Sequence, residues 1–357
     1  MGIQRPFRVL ALDGGGMRGL YTATLLTKLA ELFNGKAENA SPDLGKSFDL
    51  ICGTSTGSIL ACGLAAGIPT DILKKIYIEE GMKIFPQPMP EPKRPAFYLW
   101  TLKHAFINSG NRGEFVRALR GCFQDKTLGD IYRERKIALC IIAVDALNFM
   151  PRVFRTPHNP GESDDSKYKV LEVVLSSSTA PVLFPINKIR GHEDKRDEYY
   201  VDGGLWANNP VMPGLIEALS MVKDNNIPIE IISAGTCNRL IADERDLKSL
   251  SWGMLKWASG MRLMELLLSS QGYGSSYMAK FISEYLTGLG RKVKIIRIGE
   301  LVKTPEEFSV IHVDRADKPA IDTMISLAEK DAEYAFNSMS KEDRQIFESI
   351  YSSLPAT

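Results

Sequence analysis

The chain predicts an α/β fold of three layers, with helices on both faces of a mainly parallel central sheet. Short apolar runs of strand length recur along it and alternate with helix-patterned segments, as a parallel sheet requires. Two of these runs end in glycine-rich corners that lead straight into a helix. The 357 residues, 44% hydrophobic and 24% charged, suffice for one large domain or for a core with an elaborated C-terminal part.

The first run, Phe7–Leu12 (FRVLAL), reads as a short buried strand. It enters Asp13-Gly14-Gly15-Gly16-Met17-Arg18-Gly19, and a helix follows from about Leu20. Three consecutive glycines leave backbone N–H groups uncovered, so Gly14, Gly15 and Gly16 form a cradle that an oxyanion can approach closely. Arg18 adds a fixed positive charge, which could orient the cradle, attract a lipid phosphate or pair with a carboxylate.

The second run, Phe48–Cys52, precedes Gly53-Thr54-Ser55-Thr56-Gly57. At so sharp a strand-to-helix corner a serine hydroxyl stands clear of the backbone only if the flanking positions lack bulk, which Gly53 and Gly57 supply. The helix expected over 58–66, closed by Gly67 and Pro69, turns the positive end of its dipole toward the serine. Taken alone, G-x-S-x-G also fits a plain glycine-rich βα turn. Leu50 to Thr70 carries no charge and has about the length of a membrane span, but its four glycines, Pro69 and hydroxyl residues fit the corner better; no transmembrane helix is expected.

Residues 84–100 (IFPQPMPEPKRPAFYLW) are proline-rich and read as a lid, a lipid-facing rim or an irregular surface loop. Ile137–Val144 and Met150–Phe154 are strand candidates, and 158–167 is polar and turn-rich, a surface loop. Tyr199–Val201 is a strand ending in Asp202-Gly203-Gly204, with Asn208, Asn209 and Pro210 beyond. By itself an aspartate there is a turn former; beside a reactive serine it is a base. Ile229–Ser233 and Val293–Ile298 supply further strands. Reactive groups in such sheets gather at the carboxyl ends of strands, where Asp13, Ser55 and Asp202 all fall. Residues 252–268 form a Trp- and Met-rich helix, suited to core packing, to covering the active site, to a bilayer surface or to a homodimer face.

DGGGMRG at 13–19, GTSTG at 53–57 and DGG at 202–204, with SSSTAPVLFP at 176–185, resemble the patatin-like phospholipase family over about Phe7 to Pro213. The resemblance implies a catalytic domain over 7–213, with 214–357 completing the sheet and adding helices. It implies Ser55 as nucleophile, Asp202 as its partner in a Ser-Asp dyad, and Gly14, Gly15, Gly16 and Arg18 as the oxyanion-stabilising loop. Asp13, Gly19, Gly53, Gly57, Gly203 and Gly204 support the motifs. It also implies a phospholipid or membrane-surface lipid as substrate. The chain further looks like the bacterial patatin phospholipases of cyclic-oligonucleotide anti-phage defence, which implies a cyclic dinucleotide activator such as cGAMP; no nucleotide motif is legible for it.

An aspartate with an ordinary pKa near ~3.9 is a feeble base at neutral pH, so a dyad without histidine needs a desolvated carboxylate. Two other chemistries use the same residues. An α/β-hydrolase triad would recruit His312, on the strand-like segment 309–314, ahead of His192, His104 or His158. A dinucleotide-binding oxidoreductase would use the spacing Gly14-x-Gly16-x-x-Gly19, but Asp13 would then face a pyrophosphate and Ser55 would go unexplained. A catalytically dead lipid-binding module is a third class.

A net charge of +1 gives no support for a nucleic-acid polymer as partner. Cys52, Cys62, Cys122, Cys140 and Cys237 are scattered and mostly apolar in context, the pattern of reduced core residues in a cytosolic protein, and nothing has metal-ligand spacing or calls for a cofactor. The short lead from Met1 to the first strand leaves no room for a secretory signal, and Pro6 stands where a myristoylation sequence wants Ser or Thr. A cytoplasmic protein with peripheral membrane contact is the expectation.

Overall fold

The computed structural model describes residues 5–34, 43–90, 95–159, 165–191, 196–237, 261–301 and 303–351. One eight-stranded sheet organises them. Its strands are β1 (Phe7–Leu12), β2 (Leu50–Thr54), β3 (Ala138–Asp145), β4 (Met150–Arg155), β5 (Asn187–Ile189), β6 (Glu198–Asp202), β7 (Ile229–Ala234) and β8 (Val293–Ile298). The parallel part runs β3-β2-β1-β7-β8. β7 pairs along the whole of β1 and β8 along β7, so the sheet continues through the residues beyond 213.

Alternation of side chains along β1 explains the layers. Leu10 and Leu12 enter one core while Val9 and Ala11 enter the other, and all four are fully buried. β3 repeats the pattern, with Leu139, Ile141 and Ala143 on the first face and Ala138, Cys140 and Ile142 on the second. Strands buried on both faces read as unbroken apolar runs, which is why they stand out in the sequence. The first face is covered by helices that include Gly19–Asn34, Thr56–Ala65, Thr70–Ile84, Arg112–Phe123, Val170–Ser178 and Lys318–Ser338. Val211–Met221 and Met261–Gly288 cover the second.

One departure from the parallel plan creates the site. β3 carries three partners: β2, parallel, from Ala138 to Ile142; β4, antiparallel, from Cys140 to Asp145; and β6, antiparallel, from Ala143 to Asp145. Because β4 occupies one edge of β3 without a break, β2 and β6 must share the other. β2 stops with Thr54 opposite Ile142, and β6, arriving from the other direction, stops with Asp202 opposite Ala143. The two carboxyl ends therefore meet head to head. Asp202 does lie at the end of its strand, as expected, but that strand runs against β2 rather than alongside it, a register that a single strand's sequence does not encode.

The uncharged stretch from Leu50 divides into β2 and helix Thr56–Ala65, with Gly67 at φ +78° closing the helix. Among the described residues no helix is long and apolar enough to cross a membrane. Of residues 84–100, Ile84 ends a helix, Phe97 is buried within helix Pro95–Lys103, and 91–94 lie outside the described residues. Of 252–268, only 261–268 is described, as the start of helix Met261–Gly288. His158 is not on a surface loop as expected. It is buried, with Nε2 2.9 Å from Glu217 Oε1 and Nδ1 2.8 Å from Thr156 Oγ1. Polar composition there reflects an internal hydrogen-bond network rather than solvent.

Candidate active site

Ser55 caps helix Thr56–Ala65 with φ 53° and ψ −124°, a left-handed backbone that non-glycine residues seldom adopt. Three bonds hold the corner. The Ser55 N–H donates to Ser177 Oγ at 2.9 Å, Ser177 Oγ donates to the Ile142 carbonyl at 2.5 Å, and Ser58 Oγ donates to the Ser55 carbonyl at 2.6 Å. Ser177 is a site residue to which the sequence assigned no role: it lies inside the 176–185 segment, but nothing local marks it out from Ser176 or Ser178.

Ser55 Oγ donates to Asp202 Oδ2 at 2.6 Å, across 147 residues of chain. The other carboxylate oxygen accepts the Gly204 N–H at 2.7 Å. Both side chains are buried. Burial pushes the Asp202 carboxyl up to about 6, with the Ser55 hydroxyl and the Gly204 amide pulling back. A base so poised is mostly ionised at neutral pH yet far more basic than an exposed aspartate. For hydrolysis of an uncharged ester, kcat/KM is expected to rise about tenfold per pH unit below about pH 6 and to level off above it. A profile flat from about pH 5 to pH 8 would remove this carboxylate from the role of base.

The glycine loop lies across the end of the sheet from this pair. The Gly14 N–H donates to the Asn208 carbonyl at 2.9 Å, and the Gly14 carbonyl accepts Thr236 Oγ1 at 2.7 Å, so Gly14 fastens the loop. Gly15 and Gly16 line the cavity beside Ser55, and among the described residues their N–H groups have no backbone partner. Gly16 sits at φ +56°, where an added Cβ would stand 2.2 Å from the Val313 carbonyl oxygen. Arg18 is buried and does not line the cavity; its charge acts on Asp13 and Cys237. Arg18 is thus not placed to meet an oxyanion beside Ser55 directly.

Asp13 is fully buried and clamped by Arg297 through two bonds of 2.8 and 2.5 Å. Arg297 also donates to Ser233 Oγ and Glu300 Oε1, each at 2.8 Å. Desolvation opposes the charge of Arg297, yet the pull of Asp13 and then Glu300 lifts its pKa above the usual value. This buried pair ties the loop between β1 and its helix to the end of β8. With its carboxylate so engaged, Asp13 does not face a bound pyrophosphate, and the loop opens instead toward a serine.

Among the described residues no imidazole joins the pair. A triad needs a histidine between serine and carboxylate, and a direct contact of 2.6 Å leaves no space for one. His312 lies in a loop rather than on a strand, and it is absent from the cavity lining although its neighbour Val313 is present. His104 contacts the Ile107 carbonyl through Nδ1, and His192 lies outside the described residues.

Ser55 and Asp202 open onto a cavity of about 300 Å³ whose walls are almost wholly apolar, among them Ile59, Ile76, Ile84, Phe85, Phe115, Phe184, Met264 and Leu268. These come from at least six separate elements, so no stretch of sequence announces the cavity. Such a shape takes a hydrocarbon chain and presents one end of it to the serine.

A serine bonded directly to a buried carboxylate, at the head of an apolar cavity in a three-layer α/β sheet, marks a lipid acyl hydrolase. The family model described as "Patatin-like phospholipase" matches residues 10–215, and the chain belongs to the patatin-like phospholipase family. It is 34% identical over 275 residues to a "cGAMP-activated phospholipase" of Pseudomonas aeruginosa, covering 77% of this chain and 74% of that protein. A protein of the same name from Vibrio cholerae is 30% identical over 274 residues, 73% of each chain. One from Escherichia coli is 32% identical over 225 residues, 61% of this chain and 57% of that one.

Proposed function

We propose that Ser55 and Asp202 hydrolyse acyl esters of glycerophospholipids through an acyl-enzyme. The observation that carries this reading is the 2.6 Å hydrogen bond from Ser55 Oγ to Asp202 Oδ2 at the head of the apolar cavity. Oγ attacks the ester carbonyl carbon while Oδ2 takes its proton. The carbonyl oxygen, now negative, turns toward the Gly15 and Gly16 amides and the N-terminal end of helix Thr56–Ala65, donors that each contribute roughly 10² to 10³ in rate. Asp202 returns the proton to the departing lysophospholipid alcohol. Water, giving its proton to Asp202, then attacks the acyl carbon; as the bond to Oγ breaks, Asp202 hands that proton to Oγ, freeing the fatty acid and restoring Ser55 and the carboxylate.

The relatives named for activation by cGAMP align over up to 77% of this chain, and we extend that control to it: a cyclic dinucleotide raises the activity. Contact with a lipid surface is part of the same reading. Both are tested by incubating the protein with phospholipid vesicles, with and without cGAMP, and measuring released fatty acid. A fluorophosphonate probe run in parallel should label wild type and leave Ser55→Ala unlabelled. Labelling of Ser55→Ala equal to wild type would place the nucleophile elsewhere.

A further inference from the structure

We infer that the rim of the active-site cavity is a lipid-docking surface, built from the loop before Ser109, the β3–β4 turn, the Val182 and Leu205 region and the first turns of helix Met261–Gly288. This deepens the phospholipid reading above and rests on it. Six exposed apolar residues carry it: Phe106, Phe149, Val182, Leu205, Leu266 and Leu267. Burying such groups is favourable and leaving them in water is not, so a set of them around one opening calls for an occupant.

Their placement is fixed by bonds and register. Val182 and Leu205 line the cavity and are also exposed, so they form its lip. The Ser109 and Gly110 amides donate to the carbonyls of Val182 and Leu183, which fastens to that lip the loop carrying Phe106, three residues earlier and with 89% of its surface in solvent. Leu266 and Leu267 lie between Met264 and Leu268, both of which enter the cavity. The β3–β4 turn projects beyond Asp202, because Asp202 pairs with Ala143 and β3 runs on to Asp145 before turning. Phe149, the last residue of that turn before β4, is 90% exposed and holds a φ of 56°. So exposed an aromatic side chain serves no packing purpose, and asparagine or glycine would take its left-handed backbone more readily.

A lipid surface is the occupant these observations favour. The rim is continuous with the walls of the cavity that receives the acyl chain, so a lipid leaving a bilayer would pass from one apolar surface to the next without crossing water. Five separate segments put apolar residues at one end of the sheet, the geometry of a face laid on a plane.

The test uses Phe106→Ser/Phe149→Asn, exposed sites outside the catalytic groups, the second substitution being one that suits the backbone. Binding is read by co-sedimentation with vesicles of phosphatidylethanolamine and phosphatidylglycerol, in a Ser55→Ala background so that the vesicles stay intact. Activity is read on the same vesicles and on a short-chain soluble ester, with cGAMP present throughout. The double variant should lose about tenfold in vesicle binding and vesicle hydrolysis while soluble-ester turnover stays within about twofold. Phe281→Ser, on the exposed flank of the long helix, should leave all three unchanged. Unaltered vesicle binding in the double variant would overturn the proposal, as would a shift in oligomeric state with binding unaltered, which would make the rim a contact between copies. If wild type cleaves neither lipid nor soluble ester but binds vesicles through this rim, the hydrolase reading fails and the docking surface stands.

Discussion

Asp202→Asn is expected to reduce turnover by roughly four orders of magnitude, the loss seen when a catalytic carboxylate is replaced by its amide. Asparagine fills the same space and can still accept the Gly204 N–H, but it cannot take a proton. Its amide nitrogen would also offer a donor to Ser55 Oγ where the native oxygen accepts at 2.6 Å. Acylation suffers directly, so fluorophosphonate labelling should slow along with ester hydrolysis. Folding should not suffer. The buried carboxyl, raised to about 6, is charged at neutral pH at a cost of desolvation, and a neutral amide removes that cost. The expected result is thus a well-folded, nearly inactive protein, read by thermal melting and by labelling rate together. Labelling at the wild-type rate would show that another group takes the serine proton.

Gly57→Ala should be damaging in a different way. A Cβ at residue 57 would lie 2.2 Å from the Leu12 carbonyl oxygen and 2.7 Å from that of Asp13, both backbone atoms of β1's end. Neither can rotate aside, so the helix after Ser55 and the strand before the glycine loop must part. Overpacking of this kind costs about 1–3 kcal/mol, and here the displaced strand leads into the loop whose Gly15 and Gly16 amides are proposed as oxyanion donors. A misplacement of about 1 Å between serine and donors is enough to lose on the order of 10²-fold in rate. Melting temperature and turnover should therefore fall together. Gly121→Ala is the control: residue 121 is helical and a Cβ there meets nothing within 4 Å, so stability should rise by roughly 0.5–1 kcal/mol. If Gly57→Ala melted and turned over like wild type, the close approach of corner and strand would be refuted.

The meeting of Ser55 with Asp202 and the placement of the glycine loop beside them were legible because each sits where a sharp change of backbone direction forces glycine around it. Ser55 between Gly53 and Gly57, Asp202 before Gly203 and Gly204, and Gly14 to Gly16 all announce themselves locally. What surrounds them does not. Arg297 holds Asp13 from 284 residues away, and nothing in the run from Val293 to Ile298 separates that arginine from an ordinary surface charge on an edge strand. Thr236 and Ser177 act through single hydroxyls placed by tertiary contacts. The direction of β6 was hidden for the same reason: strand pairing is a property of two segments, and each alone reads the same way up or down. His158 misled because buried polar networks and solvated loops share a composition.

The clamp between Arg297 and Asp13 has a bearing on how the protein is made. During synthesis the serine, its aspartate and the glycines all leave the ribosome well before Arg297 does, and β1 must wait for β7 to cover its open edge. Until then the nascent chain holds Ser55, Asp202 and the glycines while Asp13 still lacks its arginine. The turn that leaves β1 thus receives its buried anchor only when β8, the last strand of the sheet to be made, takes its place beside β7.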